Sequence, residues 1–223
     1  LYKEKEVLQA VPLSDRQVRQ KVVNVPGEGF VFGLYNAMDI PFEGGVLLAD
    51  TLVATGVTDG AGQLTFSGYF PHGTYYLREL SGPKGWKLSN EHIPVSLTAD
   101  QLTTGVNVIA TSLEEPVHNV LVYFHVTLTK TDITGQETVP GALIEVMDAT
   151  GAVIYRAYTD VQGQIPEIPV VPGTYTFREV LAPDGYLLNT EEMQFTVAED
   201  GSIIGNTTLR DDFNRLLLHK VDT

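Results

Sequence analysis

The 223-residue sequence contains no cysteine, so neither disulfide bonds nor thiolate metal sites stabilise its fold. Two situations fit this absence: a reducing compartment, or a surface protein that is stabilised by another kind of cross-link. Long apolar runs are also missing. None approaches the ~18 residues that a membrane span needs, and the first residues, Leu1–Lys5, lack the apolar core of a signal peptide.

Basic residues are scarce. The chain has 14 Lys and Arg against 28 Asp and Glu, which gives a formal net charge of −14. Nucleic acids and anionic membranes are bound by clustered Lys and Arg, so neither is an expected partner of this segment. The excess of acid is interpreted first as a source of solubility, and second as an acidic functional surface.

The residue patterns of common catalytic and metal sites are absent as well. The histidines stand singly and form no His-x-x-x-His spacing: His72, His92, His118, His125 and His219. The turns at Asp59 and Asp160 lack the run of oxygen ligands that a calcium loop requires. No serine or threonine lies in a nucleophile elbow. The sequence therefore predicts neither a metal nor a cofactor.

One stretch of the chain occurs twice. Residues 173–186 read GTYTFREVLAPDGY and residues 73–86 read GTYYLRELSGPKGW, so that Glu179 and Glu79 occupy matching places 100 positions apart. In both copies the acidic residue lies within an apolar, strand-like segment. A functional interpretation has to explain why this position is acidic.

The surrounding pattern predicts an all-β protein. Short apolar runs, Leu64–Phe66 among them, alternate with Gly, Pro and Asp turns, and their order repeats once, which is typical of two tandem immunoglobulin-like β-sandwich domains. The predicted domains are 1–120, in which a first strand is followed by a long early connection, and 121–213. Residues 214–223 are predicted to be a linker and the start of a following repeat, because Leu217–Asp222 resembles Thr127–Asp132.

Strand alternation predicts which polar side chains of the second domain face inward, because residues two apart share a face. Glu179, Lys130 and Asp211 each end a set of apolar or small residues on one strand face. The three sets are Tyr175, Phe177 and Glu179; Val126, Leu128 and Lys130; and Thr207, Leu209 and Asp211.

Three ionisable groups in a core are costly unless they meet. If they meet, burial lowers the pKa of the lysine and raises the pKa of the carboxylic acids, because it disfavours every charged form. A neutral amine is a nucleophile, and a protonated glutamic acid relays protons. An amine held against a carboxyl carbon in a dry core has the effective concentration that amide formation requires.

The second domain resembles a known family through five motifs. They are Lys130-Thr131-Asp132, Gly141-Ala142, Thr159-Asp160 with Gly163, Gly173-Thr174-Tyr175 leading to Glu179, and Ala182-Pro183-Asp184-Gly185-Tyr186. Together they are similar to the CnaB or SpaA-type, prealbumin-like domain of Gram-positive surface proteins, whose members occur in pilins and adhesin stalks.

That resemblance implies a spontaneous intramolecular isopeptide bond between a lysine on the first strand and an Asn or Asp on the last. Carried over residue by residue, Lys130 is the nucleophile, Asp211 the acceptor and Glu179 the proton relay. Asp212 is the rival acceptor; Asp211 is preferred because it shares a face with Leu209, whereas Asp212 shares one with Arg210. Because this acceptor is Asp where the family usually has Asn, the leaving group would be water.

The first domain matches this family pattern less completely. Glu79 has the place of Glu179, and Trp86 stands where the family has Tyr. Lys3 is the preferred lysine, because its neighbours best match those of Lys130; the alternatives are Lys5 and Lys21. Asn119 is the preferred acceptor, because it shares a face with apolar residues and precedes the next domain as Asp211 precedes the predicted repeat.

The sequence therefore predicts a structural stalk or adhesin segment of a cell-wall or cell-surface protein outside a Gram-positive bacterium. It is expected to be a monomeric piece of a longer tandem array and not an enzyme. Partners such as a host matrix protein or a glycan are expected to bind other parts of the full-length protein. The alternative is a ligand-binding β-sandwich module that itself recognises carbohydrate or a host matrix protein, and a hydrolase is the third class.

Overall fold

The computed structural model describes residues 1–68, 70–97 and 116–214, and every regular element within them is a β-strand. Residues 215–223, which carry most of the predicted following repeat, lie outside the described residues. No helix in the described part of the chain is long and apolar enough to cross a membrane.

The chain forms two compact units. The first consists of Leu1–Val7 and Val23–Val122, and the second of Leu8–Val22 and the chain from Tyr123 onward. The strands from the amino terminus to Asn119 are β1 (Lys3–Ser14), β2 (Gln17–Pro26), β3 (Val31–Asn36), β4 (Ile40–Phe42), β5 (Gly45–Leu47), β6 (Leu52–Val57), β7 (Gly73–Ser81), β8 (Ile93–Leu97) and β9 (Val117–Asn119). The remaining strands are β10 (Phe124–Asp132), β11 (Leu143–Met147), β12 (Val153–Tyr158), β13 (Gln164–Val170), β14 (Gly173–Leu181), β15 (Met193–Val197), β16 (Ile203–Gly205) and β17 (Thr208–Asp211).

The first unit is built on an antiparallel sheet with the strand order β6-β3-β7-β8. The start of β1 pairs in parallel with β9, with Lys3 opposite Val117, and β4 and β5 form a separate hairpin. The apolar residues on one face of the four-stranded sheet form the core, and these include Phe30, Phe32, Leu34, Tyr75 and Leu77.

The second unit repeats this plan. One sheet has the order β16-β15-β14-β11-β12, and the other has the order β13-β10-β17, in which β10 and β17 run parallel. The core lies between them and is formed by alternate residues of β10, β11, β14 and β15, among them Val126, Leu128, Ile144, Phe177 and Phe195. The prediction of an all-β chain with two tandem sandwich domains is confirmed.

The two units differ in the segment that joins their first two core strands. In the first unit, β1 is followed by β2, its neighbour in the same sheet, where the sequence predicted a long connection. Residues 8–22 of this hairpin belong to the second unit, in which Val18 on β2 pairs with Arg156 on β12. A strand partner 138 positions away in the chain leaves no local signal in the sequence.

A second difference concerns the run Leu64–Phe66, which the sequence predicted to be a strand. Its counterpart in the second unit is β13, which pairs with β10 at five residue pairs. In the first unit, the described residues continue that pattern with the bridge between Tyr2 and Gln63 and a hydrogen bond of 3.3 Å from the N–H of Leu64 to the oxygen of Leu1, and residues 64–66 are irregular. The prediction of a strand here was wrong, because an apolar run becomes a strand only where a partner supplies the ladder of hydrogen bonds.

The predicted Thr-Asp turns have the expected local structure. The carboxylate of Asp59 accepts the backbone N–H groups of Ala61 and Gln63, and Asp160 does the same for Gln162 and Gln164. Such Asx turns fix the backbone without any other support. Each turn ends in a glycine with positive φ, Gly62 or Gly163, which lies against the lysine strand.

Candidate functional site

A lysine, a glutamate and an asparagine meet in the core of the first unit. Lys3 lies on β1, Glu79 on β7 and Asn119 on β9, and all three are buried. We call these residues the Lys3 cluster. Parallel pairing of β1 with β9 brings the first and last of them together, and the alternation of β7 turns Glu79 to the same side as Tyr75 and Leu77.

The contacts within the Lys3 cluster join all three side chains. Lys3 Nζ contacts Asn119 Oδ1, lies 3.8 Å from Glu79 Oε1, and donates to the backbone oxygen of Val117 at 3.0 Å. Asn119 Nδ2 donates both to Glu79 Oε2 at 3.1 Å and to the backbone oxygen of Lys87 at 2.7 Å. The amide is therefore held with its oxygen towards the lysine and its nitrogen towards the glutamate.

The second unit holds an equivalent group, Lys130 on β10, Glu179 on β14 and Asp211 on β17, which we call the Lys130 cluster. All three side chains are fully or almost fully buried. Lys130 Nζ contacts Asp211 Oδ1 and lies 3.4 Å from Glu179 Oε1. The residues that strand alternation turned inward in the sequence are thus the ones that meet.

Both glutamates are held by a backbone donor that the sequence analysis missed. The N–H of Ser89 donates to Glu79 Oε2 at 2.6 Å, and the N–H of Asn189 donates to Glu179 Oε2 at 2.8 Å. Each donor lies ten positions after its glutamate, and this equal offset was the available signal. Because Oε2 is fixed in this way, the other oxygen of each glutamate faces the lysine.

A glycine holds the backbone of each lysine. The N–H of Lys3 donates to the oxygen of Gly62, and the N–H of Lys130 donates to the oxygen of Gly163, both at 2.7 Å. A Cβ at Gly62 would lie 2.3 Å from the oxygen of Lys3, and one at Gly163 would lie 2.6 Å from the oxygen of Lys130. The last glycine of the Thr-Asp-x-x-Gly motif is therefore required for close approach to the lysine strand.

Burial shifts the acid–base properties of the two clusters. It lowers the pKa of Lys3 to about 8, and the charge of Glu79 offsets only part of this shift. It raises the pKa of Glu179, an effect that the N–H of Asn189 and the charge of Lys130 oppose and the nearby Asp211 reinforces. The lysine of the first cluster is therefore readily neutral, and the glutamate of the second is readily protonated.

The two clusters differ at the acceptor. The Nδ2 group of Asn119 donates to Glu79 Oε2 and to the backbone oxygen of Lys87, whereas Asp211 Oδ2 has no hydrogen-bond partner among the described residues. Glu179 Oε1 and Glu79 Oε1 are also buried without a hydrogen-bond partner among the described residues. Two buried carboxyl oxygen atoms without donors are costly, and burial raises the pKa of Glu179, so protonation of Glu179 is favoured in the Lys130 cluster.

The rival residues of the sequence analysis lie elsewhere. Lys5 Nζ lies 4.7 Å from the centre of the Trp86 ring, and Lys21 is exposed on β2. Asp212 is half-buried, and its Oδ1 accepts the N–H of Phe213. Lys3, Asn119 and Asp211 are thus the residues that the structure places beside the two glutamates.

The fold and the clusters define a class: tandem prealbumin-like β-sandwiches, each with a lysine, a glutamate and an Asn or Asp buried together. The model of the SpaA family, described as a prealbumin-like fold domain, matches residues 21–111 and 124–211. This chain belongs to that family. The second match includes all of the Lys130 cluster, whereas the first includes Glu79 and leaves Lys3 and Asn119 outside.

Solved structures of three bacterial proteins are similar to this chain. The Bacillus anthracis TIE protein is 20% identical with a TM-score of 0.54, and the match covers 93% of this chain and 41% of that one. A C-terminal fragment of the pilus adhesin SpaC from Lactobacillus rhamnosus GG is 17% identical with a TM-score of 0.48, over 86% of this chain and 91% of that one. The shaft pilin SpaA from the same organism is 15% identical with a TM-score of 0.38, over 98% of this chain and 100% of that one.

The chain thus spans about two fifths of the TIE protein that it matches. At 20% identity the likeness to the TIE protein shows the fold alone. No curated protein matches the sequence significantly.

Proposed function

We propose that this chain is a structural segment of the stalk or adhesin of a bacterial cell-surface protein, stiffened by one intramolecular isopeptide bond in each domain. The observation that supports this most strongly is the presence of a buried Lys–Glu–Asx cluster at the same place in both units. A cluster that served only for packing would cost less free energy as three apolar side chains.

In the second unit the bond joins Lys130 to Asp211. The neutral amine of Lys130 attacks the Cγ atom of Asp211, and the C–N bond forms as a C–O bond of the carboxyl group breaks. Glu179 gives its proton to the departing oxygen, takes a proton from the attacking nitrogen and passes it to the same oxygen. The products are an amide, one molecule of water and Glu179 as a carboxylate.

In the first unit the same steps join Lys3 to Asn119. Here the C–Nδ2 bond breaks, and the nitrogen leaves as ammonia with a proton that Glu79 relays from the lysine. The hydrogen bond from Asn119 Nδ2 to Glu79 Oε2 already aligns the leaving nitrogen with the group that protonates it.

Two features support this chemistry: the reacting groups are in contact, and water is excluded from them. Lys130 Nζ is in contact with the carboxyl group that it attacks, and all three side chains are excluded from water. Holding two reactants in this way replaces the entropy cost of their encounter, which is worth about 7–11 kcal/mol of a barrier. The bond forms once per molecule, so the chain is not an enzyme in the usual sense.

A bond from the first to the last strand of a domain suits a protein under tension. By analogy with a disulfide, closing a loop of this length stabilises the folded state by about 4–5 kcal/mol. It also prevents force from unzipping the domain between the linked strands. Such bonds would replace disulfides in a chain without cysteine, and family membership favours an extracellular place on the cell surface.

Intact mass measurement tests the proposal. The purified chain is expected to lack one water and one ammonia relative to its sequence mass. Glu179→Ala is expected to restore the water alone, and Glu79→Ala the ammonia alone, so each variant is the matched control for the other. A wild-type chain with its full sequence mass would overturn the proposal, and loss of water alone would restrict it to the second unit.

A further inference from the structure

An edge strand of the second unit is contacted by a strand from the amino-terminal hairpin, which pairs with it at one residue. Val18 on β2 pairs antiparallel with Arg156 on β12, and the guanidinium of Arg19 donates to the backbone oxygen of Arg156 at 2.9 Å. Gln20 Nε2 donates to the backbone oxygen of Pro169 on β13 at 3.0 Å. The edge of this sheet therefore binds an extended segment that combines apolar and basic residues.

The corresponding edge strand of the first unit is β6. It pairs with β3 as β12 pairs with β11, and β7 lies on the other side of β3 as β14 lies on the other side of β11. Among the residues that the structure describes, β3 is its one strand neighbour. The place that β2 occupies beside β12 thus has no counterpart beside β6 in the described chain.

β6 also lacks the features that usually protect a sheet edge. The run Thr51–Val57 contains no charged residue and no proline, and Leu52 and Val57 are 45% and 57% exposed. Natural edge strands are normally protected by lysine, proline or a covering segment, because an open ladder of N–H and C=O groups pairs with other strands. β12, by comparison, carries Arg156, and this residue pairs with Val18 on β2.

The β4–β5 hairpin extends this surface with more exposed apolar side chains. Phe42, Val46 and Leu48 are 50%, 55% and 64% exposed. The hairpin is nevertheless anchored: Ile40 is buried, and the fully buried Asn36 donates to the backbone oxygen of Leu48 at 2.6 Å and accepts the N–H of Thr51 at 2.9 Å. In the second unit a tight turn between β11 and β12 stands in place of this hairpin.

Acidic residues dominate the charge of the chain segment that forms this surface, and Arg78 on β7, whose guanidinium lies 4.8 Å from the centre of the Tyr35 ring, is a basic residue on a strand of the same sheet. Residues 22–77 contain no Lys or Arg but five acids, of which Asp39, Glu43 and Asp50 are exposed on the segment that leads to β6. The segment that covers β12, residues 8–22, has the opposite character, with Arg16, Arg19 and Lys21 against Asp15. Charge complementarity therefore favours a basic occupant for the edge of β6.

We propose that the edge of β6, with the β4–β5 hairpin beside it, binds an extended strand of a protein partner in which apolar and basic residues alternate. The partner strand would continue the sheet through backbone hydrogen bonds, and its apolar side chains would cover Leu52, Val57 and Phe42. Its basic side chains would lie near Asp39, Glu43 and Asp50. This binding does not depend on the isopeptide bonds.

Other occupants are disfavoured by charge. An anionic membrane surface would be repelled by the five acids of residues 22–77, a segment without Lys or Arg. Two copies of this chain, each with a net charge of −14, would also repel one another. A basic strand is the occupant that matches both the apolar surface and its acidic border.

Nuclear magnetic resonance with a peptide probe tests the proposal on the full chain. The probe is a synthetic peptide with the sequence of residues 15–24, DRQVRQKVVN, because this type of strand already covers β12. We expect its addition to shift the backbone amide signals of residues 40–57 and to bind less tightly as salt is raised. A peptide with glutamate in place of its two arginines and its lysine should not bind.

A pair of variants locates the site. Leu52→Lys should weaken binding about tenfold or more, as expected for the loss of one covered leucine and the addition of a like charge. Leu187→Lys, an equally exposed leucine of the second unit, should leave binding unchanged. Three results would overturn the proposal: no binding, signal shifts confined to β12, and shifts at β6 that depend on protein concentration without peptide, which would identify a second copy as the occupant.

Discussion

The Lys3 and Lys130 clusters have the same lysine and glutamate but different acceptors. In the Lys3 cluster the amide of Asn119 satisfies the glutamate and a backbone oxygen through its own N–H groups. In the Lys130 cluster Asp211 has no N–H to offer, and its Oδ2 has no hydrogen-bond partner among the described residues. The amide of Asn119 therefore supplies two donors that the carboxyl group of Asp211 lacks, while one glutamate oxygen atom in each cluster has no hydrogen-bond partner among the described residues.

Burial acts on a different group in each cluster. In the first unit it lowers the pKa of Lys3 to about 8, which favours the neutral amine that the proposed bond formation uses. In the second unit it raises the pKa of Glu179, which favours the protonated acid that the proposed bond formation uses. The two proposed bonds are therefore expected to respond differently to substitution and to pH.

The largest expected effect is the loss of a whole cross-link. Lys130→Met and Lys3→Met should each restore the mass of one leaving group and destabilise the affected unit by about 4–5 kcal/mol, because the unfolded chain regains a long loop. Calorimetry and intact mass on the same samples measure both effects. Lys21→Met changes an exposed lysine and is the control, which should retain both bonds. A variant that lost its bond yet kept its stability would show that the cross-link does not stabilise the domain.

Exchanging the acceptors tests whether the difference between the clusters lies in that one residue. In Asp211→Asn the new Nδ2 should donate to Glu179 as Asn119 donates to Glu79, and the bond should form with loss of ammonia instead of water. High-resolution mass measurement distinguishes the two leaving groups. Failure of this variant to form a bond, with its fold intact by circular dichroism, would mean that the clusters differ in more than the acceptor.

The smallest and most specific effect is on pH dependence. The neutral fraction of Lys3 rises with pH up to and beyond its pKa of about 8, so bond formation in the first unit should become faster over that range. The proton on Glu179 is lost as pH rises through its raised pKa, so bond formation in the second unit should become slower. The experiment starts from protein that was purified in the unfolded state. Samples are quenched at intervals during refolding, and their masses report the loss of ammonia and of water separately. Rates that changed in the same direction would contradict this account.

Much of the second unit could be predicted from the sequence, because a strand has a period of two. Once β10, β14 and β17 were recognised, alternation placed Lys130, Glu179 and Asp211 on the faces of Leu128, Phe177 and Leu209, where the structure has them. In the first unit, the residues beside Lys3 are similar to those beside Lys130, and this similarity predicted Lys3. The chemical roles of these residues remain a proposal.

The rest depends on contacts between distant parts of the chain. Residues Gln17–Pro26 form a strand that pairs with β12, a distant part of the chain. The N–H groups of Ser89 and Asn189 reach the glutamates because loops place them there. Among the described residues β6 has β3 as its strand neighbour, whereas β12 pairs with both β11 and β2, and this difference is likewise a property of packing.

The most direct test of the proposed isopeptide bonds is to find them in the protein. Tryptic digestion of the folded, purified chain followed by tandem mass spectrometry should show no cleavage after Lys130, together with a branched peptide that joins Lys130 to Asp211. The same digest should contain a branched peptide that joins Lys3 to Asn119. Linear peptides cut after Lys130, with Asp211 unmodified, would contradict the account.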